Sequence, residues 1–460
     1  MSNSVVVGGG ICGLLAAYLL KKKGHNVTLI EQAQKCGGLL NSVQDSKNNY
    51  YDQGTHIPNP TGVELLDKFL FGSAESRVAN WHHIPVLKTG NFFKGSWDLE
   101  TQTIDARKLG QEKYERGLGQ LISNTTLPSD TNIEGYCKNS VGEVFFNSLV
   151  KPVIDKLYGA QDDYTNLTAK NSINYFGATR LLALDPEMTS ILKKQPVYAP
   201  RLGFHTHSDY QAWMNQEGVE ESLYFYPKSE KGCQYWIDDL VKKVADSGVH
   251  ILNNAKITGL KTKNKQISEI QINGEDLIQC DWLYWSAPPA FALKFLIDDS
   301  NGYRPKLRTA NIFHFTLDKP LLNTESHYLW NWDSSSEIFR ITLYPNLSDT
   351  KKNSITAEVL SDAEQADSID ENKIFEDLIA MQLIDPESNI VSSLRQTIHH
   401  TFPVPTHEFS QHVTQQFELL HNLADNITVS GRFGGKLWLL NDIFHDTYNS
   451  ITNKFGPMND

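Results

Sequence analysis

The stretch S-V-V-V-G-G-G-I-C-G at residues 4–13, followed by N-V-T-L-I-E at 26–31, decides the fold. Residues 4–7 read as a short buried strand. Gly8, Gly10 and Gly13 follow at G-x-G-x-x-G spacing. Residues 14–23 are apolar with a basic end, as a helix closing on Gly24 should be. A second strand over 26–30 ends on Glu31. Each part has a physical task. Gly8 permits the tight turn, Gly10 lets backbone approach a pyrophosphate, and Gly13 lets helix and strand pack closely. The helix start, just past Ile11 and Cys12, offers unpaired N–H groups and partial positive charge to phosphates. Glu31, with Gln32 beside it, stands where a carboxylate accepts hydrogen bonds from a ribose diol. The order strand, glycines, helix, strand, acid predicts a dinucleotide site.

At 460 residues the chain is too long for one simple core, so two or three interleaved domains are expected. The formal net charge of −12 disfavours nonspecific attraction to nucleic acid or to an anionic membrane surface. Five scattered cysteines contain no C-x-x-C pair, so neither a metal knuckle nor a disulfide framework is expected. No stretch approaches twenty uninterrupted apolar residues, and the N-terminus runs straight into a strand. Neither a membrane span nor a signal peptide is therefore expected, and the expected compartment is the reducing cytoplasm.

A second glycine pair follows closely, in K-C-G-G-L (Lys35, Gly37, Gly38, Leu39), and then Y-Y-D-Q-G-T-H leads to Thr55 and His56. Beyond a helix over 63–71, residues 80–200 read as helices mixed with polar loops. An amphipathic helix is expected over 142–157, interrupted by Pro152. At Tyr224 strands return: F-Y-P-K, a helix over 233–247, strands over 249–252, 256–263 (with Ile257), 266–272 and 282–285, then S-A-P-P with Ala287. This run reads as the continuation of the nucleotide-binding domain after an insertion. Strands over 311–317, 338–344 and 354–360 read as antiparallel. The strand over 427–430 runs into G-R-F-G-G (Gly431, Arg432), and Asn441 or Asp442 is expected to cap a terminal helix. The expected fold is α/β: a Rossmann-like domain from 1–75, 222–300 and 425–460, with an inserted α+β substrate domain from 76–221 and 301–424, containing an antiparallel sheet and helices.

Four separated segments together resemble the flavoenzyme superfamily of amine oxidases, protoporphyrinogen oxidase-like proteins, phytoene desaturases and UDP-galactopyranose mutase, whose nucleotide-binding domain is of the GR2 flavoprotein type. They are V-V-V-G-G-G-I-C-G with Glu31; K-C-G-G; F-Y-P-K with G-V-H-I-L and S-A-P-P; and V-S-G-R-F-G-G-K-L-W-L-L-N-D. The resemblance implies FAD. The absence of a cysteine or histidine at an obvious attachment position makes noncovalent binding the expectation. D-Q-G-T-H-I-P-N-P, F-R-I at 339–341, F-P-V-P at 402–405 and the C-terminal segment are similar to segments of the mutase. Three departures stand out: Asn59 replaces a second histidine, Trp438 replaces a tyrosine, and the mutases' aromatic-rich substrate helix is not recognisable between Tyr158 and Tyr175.

The resemblance places His56 beside the flavin, where an imidazole serves as acid or base near neutral pH, the other reading being a structural histidine. Arg340, flanked by apolar residues, is either paired in the interior or faces a cavity. The resemblance favours the cavity, where the guanidinium would clamp a phosphate or carboxylate. Arg201 is a second candidate for that work, Asn59 and Trp438 line the substrate side, and Arg432 is expected near the FAD pyrophosphate. His205 and His207 would share a face if their segment were a strand, but no third ligand accompanies them, so no metal is expected. The expected class is an FAD-dependent, amine oxidase-like oxidoreductase acting on a small-molecule substrate by hydride transfer to flavin N5. The alternatives are a mutase-like non-redox reaction on a nucleotide sugar, and a flavin-holding protein without turnover. The substrate could be anionic; oligomeric state is left open, a homodimer included.

Overall fold

A computed structural model describes residues 2–169, 180–216, 223–297, 303–350 and 353–458. The segment approaching Tyr175 lies outside these. The first strand, β1 (Asn3–Val7), is buried along nearly its whole length, as a strand covered on both faces must be. It sits at the centre of a five-stranded sheet. On one side lies β2 (Asn26–Ile30), then His250–Leu252; on the other lie Trp282–Trp285 and Ile427–Val429. All four pairings are parallel. The first helix, α1 (Ile11–Lys22), connects β1 to β2 and buries Leu14, Leu15, Ala16, Ala17, Leu19 and Leu20. It is buried on most of its surface, and the C-terminal helix Leu440–Phe455 and helix Cys233–Asp246 pack on it. The sheet thus takes its strands from three distant stretches of chain.

The second large sheet has seven strands in the order Ile390–Pro403, Leu307–Leu317, Ser354–Ser361, Ile338–Leu343, Tyr328–Asn331, Thr89–Phe93 and Ser96–Asp98. Its pairings are antiparallel apart from Tyr328–Asn331 with Thr89–Phe93. One face packs on the helical stretch over 111–158, in a cluster that includes Phe145, Leu149, Leu157, Trp330, Trp332, Phe339 and Phe402. The expected helix over 142–157 forms Glu143–Phe145, a π-type turn at Phe146–Val150 and Lys151–Tyr158. Pro152 is accommodated in the first turn of the last piece, where its missing N–H costs no intrahelical bond.

Several sequence expectations change. Residues 80–100 are not only helices and loops: Trp81–Ile84, Thr89–Phe93 and Ser96–Asp98 are strands. Tyr224–Pro227 does not join the parallel sheet but pairs antiparallel with Trp81–Ile84. Phe402 and Pro403 of F-P-V-P end the 14-residue strand Ile390–Pro403, which the sequence reading did not include. Partners distant in sequence override the local pattern in each case.

Candidate functional site

The glycine loop and the double-glycine turn meet edge to edge. Gly9 accepts from the Gly37 N–H at 2.8 Å, and Gly10 and Gly37 form a parallel bridge. A side-chain carbon on Gly8 would strike Ser286, one on Gly9 would press on Cys36 and Glu31, and one on Gly13 would run into the Gly8 carbonyl. On Gly10 it would meet no atom within 4 Å. Gly8 and Gly13 therefore let the loop fold, while Gly10 faces open space at the start of α1, whose first N–H groups lack intrahelical partners. Glu31 accepts from the Gly9 and Ala33 N–H groups, each at 2.7 Å. One carboxylate oxygen braces the phosphate loop, yet each oxygen keeps a further acceptor site. This arrangement fits the pyrophosphate and ribose of a dinucleotide: open backbone at Gly10, a helix start behind it, and an acid at the tip of β2.

The other residues expected around a cofactor lie on the same rim or along its continuation. Lys35 reaches Gln234 at 3.1 Å, Gln32 is exposed, and Leu39 sits in the turn Gly38–Leu40. Ile257 and Ala287 are half-buried against the apolar cluster under the parallel sheet. Gly431 packs beside Cys12, so the C-terminal segment comes back to the start of α1. Cys12 itself bonds inward to Tyr284 and Thr447, behind the loop.

Beyond the loop, Tyr50–Asp52 carries the chain under the seven-stranded sheet. Asp52 is buried and accepts from Tyr226, Cys233 N–H and Ser42. Gly54, at φ +97°, bends the backbone against Glu358: a side-chain carbon there would stand 2.9 Å from Glu358 Oε2 and 3.4 Å from Arg340 Nη2. Thr55 donates its N–H and hydroxyl to Glu358 Oε1, both at 3.2 Å, and its hydroxyl also meets Thr342 at 2.6 Å. Arg340 and Glu358 stand directly opposite on neighbouring strands and form a two-pronged ion pair, Nε to Oε1 and Nη2 to Oε2, both 2.7 Å. Burial would raise the Glu358 carboxyl, but the Arg340 guanidinium outweighs it and holds Glu358 below the usual carboxylate range.

His56 follows Thr55. Its Nε2–H donates to the Gln53 carbonyl at 3.1 Å, which fixes the neutral tautomer and leaves Nδ1 with its lone pair. Burial pushes the imidazole below its usual value, against the opposing pull of Asp52 and Glu358 and with the help of Arg340 and Arg432. The ring lies deep within the molecule yet keeps some accessible surface, as do Tyr328 and Tyr224. Such side chains line a recess. Tyr328 packs edge-on against Trp330, which stacks on Trp332 at 5.0 Å and backs onto the buried Phe339. In the same cluster Phe402 stacks on Trp438, and Arg432 lies over both rings at 5.0 and 5.1 Å.

Four placements correct the sequence reading. The edge of Arg340 reserved for a ligand's phosphate or carboxylate is spent on Glu358. Arg201 is fully buried and donates to the Asn124 and Thr126 carbonyls, so it ties a loop and faces no ligand. Neither Asn441 nor Asp442 caps the terminal helix, which starts at Leu440; Asn441 instead donates to the Pro60 carbonyl at 2.9 Å, and its buried Oδ1 has no partner. His207 opens a helix, His207–Gln216, and its Nε2 faces the Thr89 backbone, while His205 meets Thr189. No group of three metal-binding side chains exists among the described residues. Asn59 reaches only the adjoining Pro60 carbonyl, at 3.5 Å. The sequence reading missed Glu358, Phe402 and Tyr328. Glu358 had a signal: a lone acid in S-I-T-A-E-V-L-S, matching the lone arginine in I-F-R-I-T-L.

Residues 6–69 match the family of NAD(P)-binding Rossmann-like domains. An L-amino-acid oxidase of Bungarus fasciatus is 49% identical over 47 residues, 10% of this chain and 9% of that protein. A 4,4'-diapolycopene oxygenase of Methylomonas sp is 26% identical over 289 residues, 60% of this chain and 54% of that one. The chain thus matches from about a tenth to about half the length of these relatives. A solved structure of reduced UDP-galactopyranose mutase superposes with a TM-score of 0.75 at 17% identity, covering 99% of this chain and 94% of that one. The architecture is that of a dinucleotide-binding α/β protein carrying an inserted sheet domain. The fold is similar to that of reduced UDP-galactopyranose mutase, and the N-terminal segment is similar to NAD(P)-binding Rossmann-like domains and to the amino-acid oxidase and diapolycopene oxygenase relatives. Among the described residues, no helix is long and apolar enough to cross a membrane.

Proposed function

We propose that the chain is an FAD-dependent oxidoreductase acting on a small-molecule substrate, with FAD held noncovalently. The observation that carries this reading is the continuity of the site. Open backbone at Gly10, backed by the start of α1 and by Glu31, leads past Gly38 and Thr55 to His56 and the aromatic recess. When bound, FAD supplies a two-electron acceptor that takes hydride at N5. The chain's own residues do the rest. Gly10 and the first turn of α1 hold the pyrophosphate, and Glu31 orients the ribose. The wall of Tyr328, Trp330, Phe339, Phe402 and Trp438 keeps water from the reacting centre. His56, neutral with Nδ1 unprotonated, accepts the proton the substrate releases as its hydride leaves.

A mutase-like reaction on a nucleotide sugar needs a clamp for a diphosphate. Arg340 has its two-pronged edge on Glu358 and Arg201 is bound to backbone carbonyls, so neither of these two supplies it. The test is anaerobic mixing of the FAD-loaded protein with amines, hydroxy acids, tetrapyrroles and nucleotide sugars. Bleaching of the flavin band by one class supports oxidation. Turnover only after reduction with dithionite overturns it in favour of the mutase, and no response to any class in either redox state favours a binding protein.

A further inference from the structure

The recess holds two arginines in opposite conditions. Arg340 has a carboxylate, Glu358. Arg432 has none within 4 Å among the described residues and makes no side-chain hydrogen bond there; its buried Nε and Nη2 have no partner. The two nearby carboxylates that share the field at His56 are both committed: Asp52 to Tyr226, Ser42 and Cys233 N–H, Glu358 to Arg340 and Thr55. A half-buried guanidinium without a counter-charge carries a desolvation cost, and the rings of Phe402 and Trp438 offset only part of it. The open side of the guanidinium is free to take an anion from outside the chain.

We infer that Arg432 is the seat for the anionic group of the substrate, and that the substrate is an organic anion, a carboxylate or phosphate ester, with a flat apolar body. This rests on the flavoenzyme reading and assigns the substrate's charge to a residue other than Arg340. One observation sets Arg432 on the substrate side of the site. The rings it lies over belong to the aromatic cluster of the inserted sheet, not to the cluster around α1. The pyrophosphate of the cofactor has its own partner in the start of α1. Nε and Nη2 are closed off from solvent, which leaves Nη1 as the accessible corner of the guanidinium. Phe402 and Trp438, parallel to within 6°, extend the contact surface toward a planar group.

The probe is benzoate, with benzamide as its uncharged counterpart, titrated by calorimetry into the full-length protein reconstituted with FAD. The expected result is at least tenfold tighter binding of benzoate than of benzamide. Arg432→Ala should weaken benzoate at least tenfold, leave benzamide within twofold and retain FAD at wild-type stoichiometry. Arg432→Lys should recover part of the benzoate affinity, which also shows that the effect follows charge and not misfolding. Benzoate binding no better than benzamide, or benzoate affinity unchanged in Arg432→Ala, overturns the assignment. Loss of FAD in Arg432→Ala and Arg432→Lys, with benzoate affinity intact in the loaded fraction, overturns it too and assigns the cation to the cofactor. Wild-type protein that takes up no FAD defeats the flavoenzyme reading, while the benzoate titration of that same protein still reports on Arg432.

Discussion

The parallel five-stranded sheet and the mostly antiparallel seven-stranded sheet contribute to the site in different ways. The first offers backbone. Its contacts to a cofactor come from Gly10, the start of α1 and the turn at Gly37 and Gly38, positions where the absence of a side chain is the functional feature. The second offers side chains: Tyr328, Trp330, Arg340, Glu358 and Phe402 project from its strands. A backbone site tolerates no added atom, whereas a side-chain wall can be rebuilt one residue at a time. Changes in the first region should therefore act on cofactor retention, and changes in the second on stability and ligand preference.

The largest expected effect comes from Gly13→Ala. The new methyl would collide with the Gly8 carbonyl, a backbone atom that cannot turn aside. A loss on the order of 3 kcal/mol or more is expected, together with loss of cofactor. Urea unfolding and released-flavin analysis read both; wild-type stability in this variant would mean that helix and loop are not packed as described.

Gly10→Val separates the two roles. Its side chain meets no protein atom near the backbone, so the fold should survive with circular dichroism close to wild type. The side chain would occupy the pyrophosphate position, so FAD retention should be abolished. A folded variant that still carries full FAD would place the cofactor elsewhere.

In the second sheet, Arg340→Ala leaves Glu358, 4% exposed, without its counter-charge. The expected cost is about 3–5 kcal/mol of stability. The double variant Arg340→Ala/Glu358→Ala should recover a large part of this, because no buried charge is left over. Equal stability of the single variant and wild type would show that the pair is solvated and that Arg340 is available to ligands after all.

A smaller effect concerns pH. Burial lowers His56, and it lowers His327 to about 4, where the ring accepts the Lys88 N–H at 2.9 Å and must stay neutral to do so. The unfolded chain binds these protons near the usual value of about 6.5, so between that pH and the folded values it takes up more protons than the fold does. Stability from these two groups is complete above about pH 6.5 and falls as the pH drops toward 4. Melting temperatures recorded across that window should decline, and His327→Gln should flatten the slope. An unchanged slope would remove His327 from this account.

The same contrast governs what was legible in the sequence. The glycine loop and Glu31 could be read because one contiguous stretch of about thirty residues makes strand, turn, helix and acid. The strands of the seven-stranded sheet could be read only in part. Leu307–Leu317 and Ser354–Ser361 carry strong apolar runs, but Thr89–Phe93 contains Thr89, Gly90 and Asn91, and it is a strand because Tyr328–Asn331 lies beside it. Arg340 illustrates the limit most clearly. Its apolar neighbours announced a functional or a paired arginine, and the register that puts Glu358 opposite decides for the pair. That register is set by long-range pairing, which no local pattern encodes. Asn441 failed as a cap for a related reason: the Pro60 carbonyl, far away in sequence, claims its amide.

The account stands most directly on one measurement: the identity of the cofactor released from the purified, full-length protein after reconstitution. Mass analysis of the supernatant after denaturation should show FAD at close to one equivalent per chain, and its full release would show that the link is noncovalent. Only NAD, or no nucleotide at all after reconstitution with FAD, would contradict the claim that the groove at Gly10 and the recess at His56 form one flavin site.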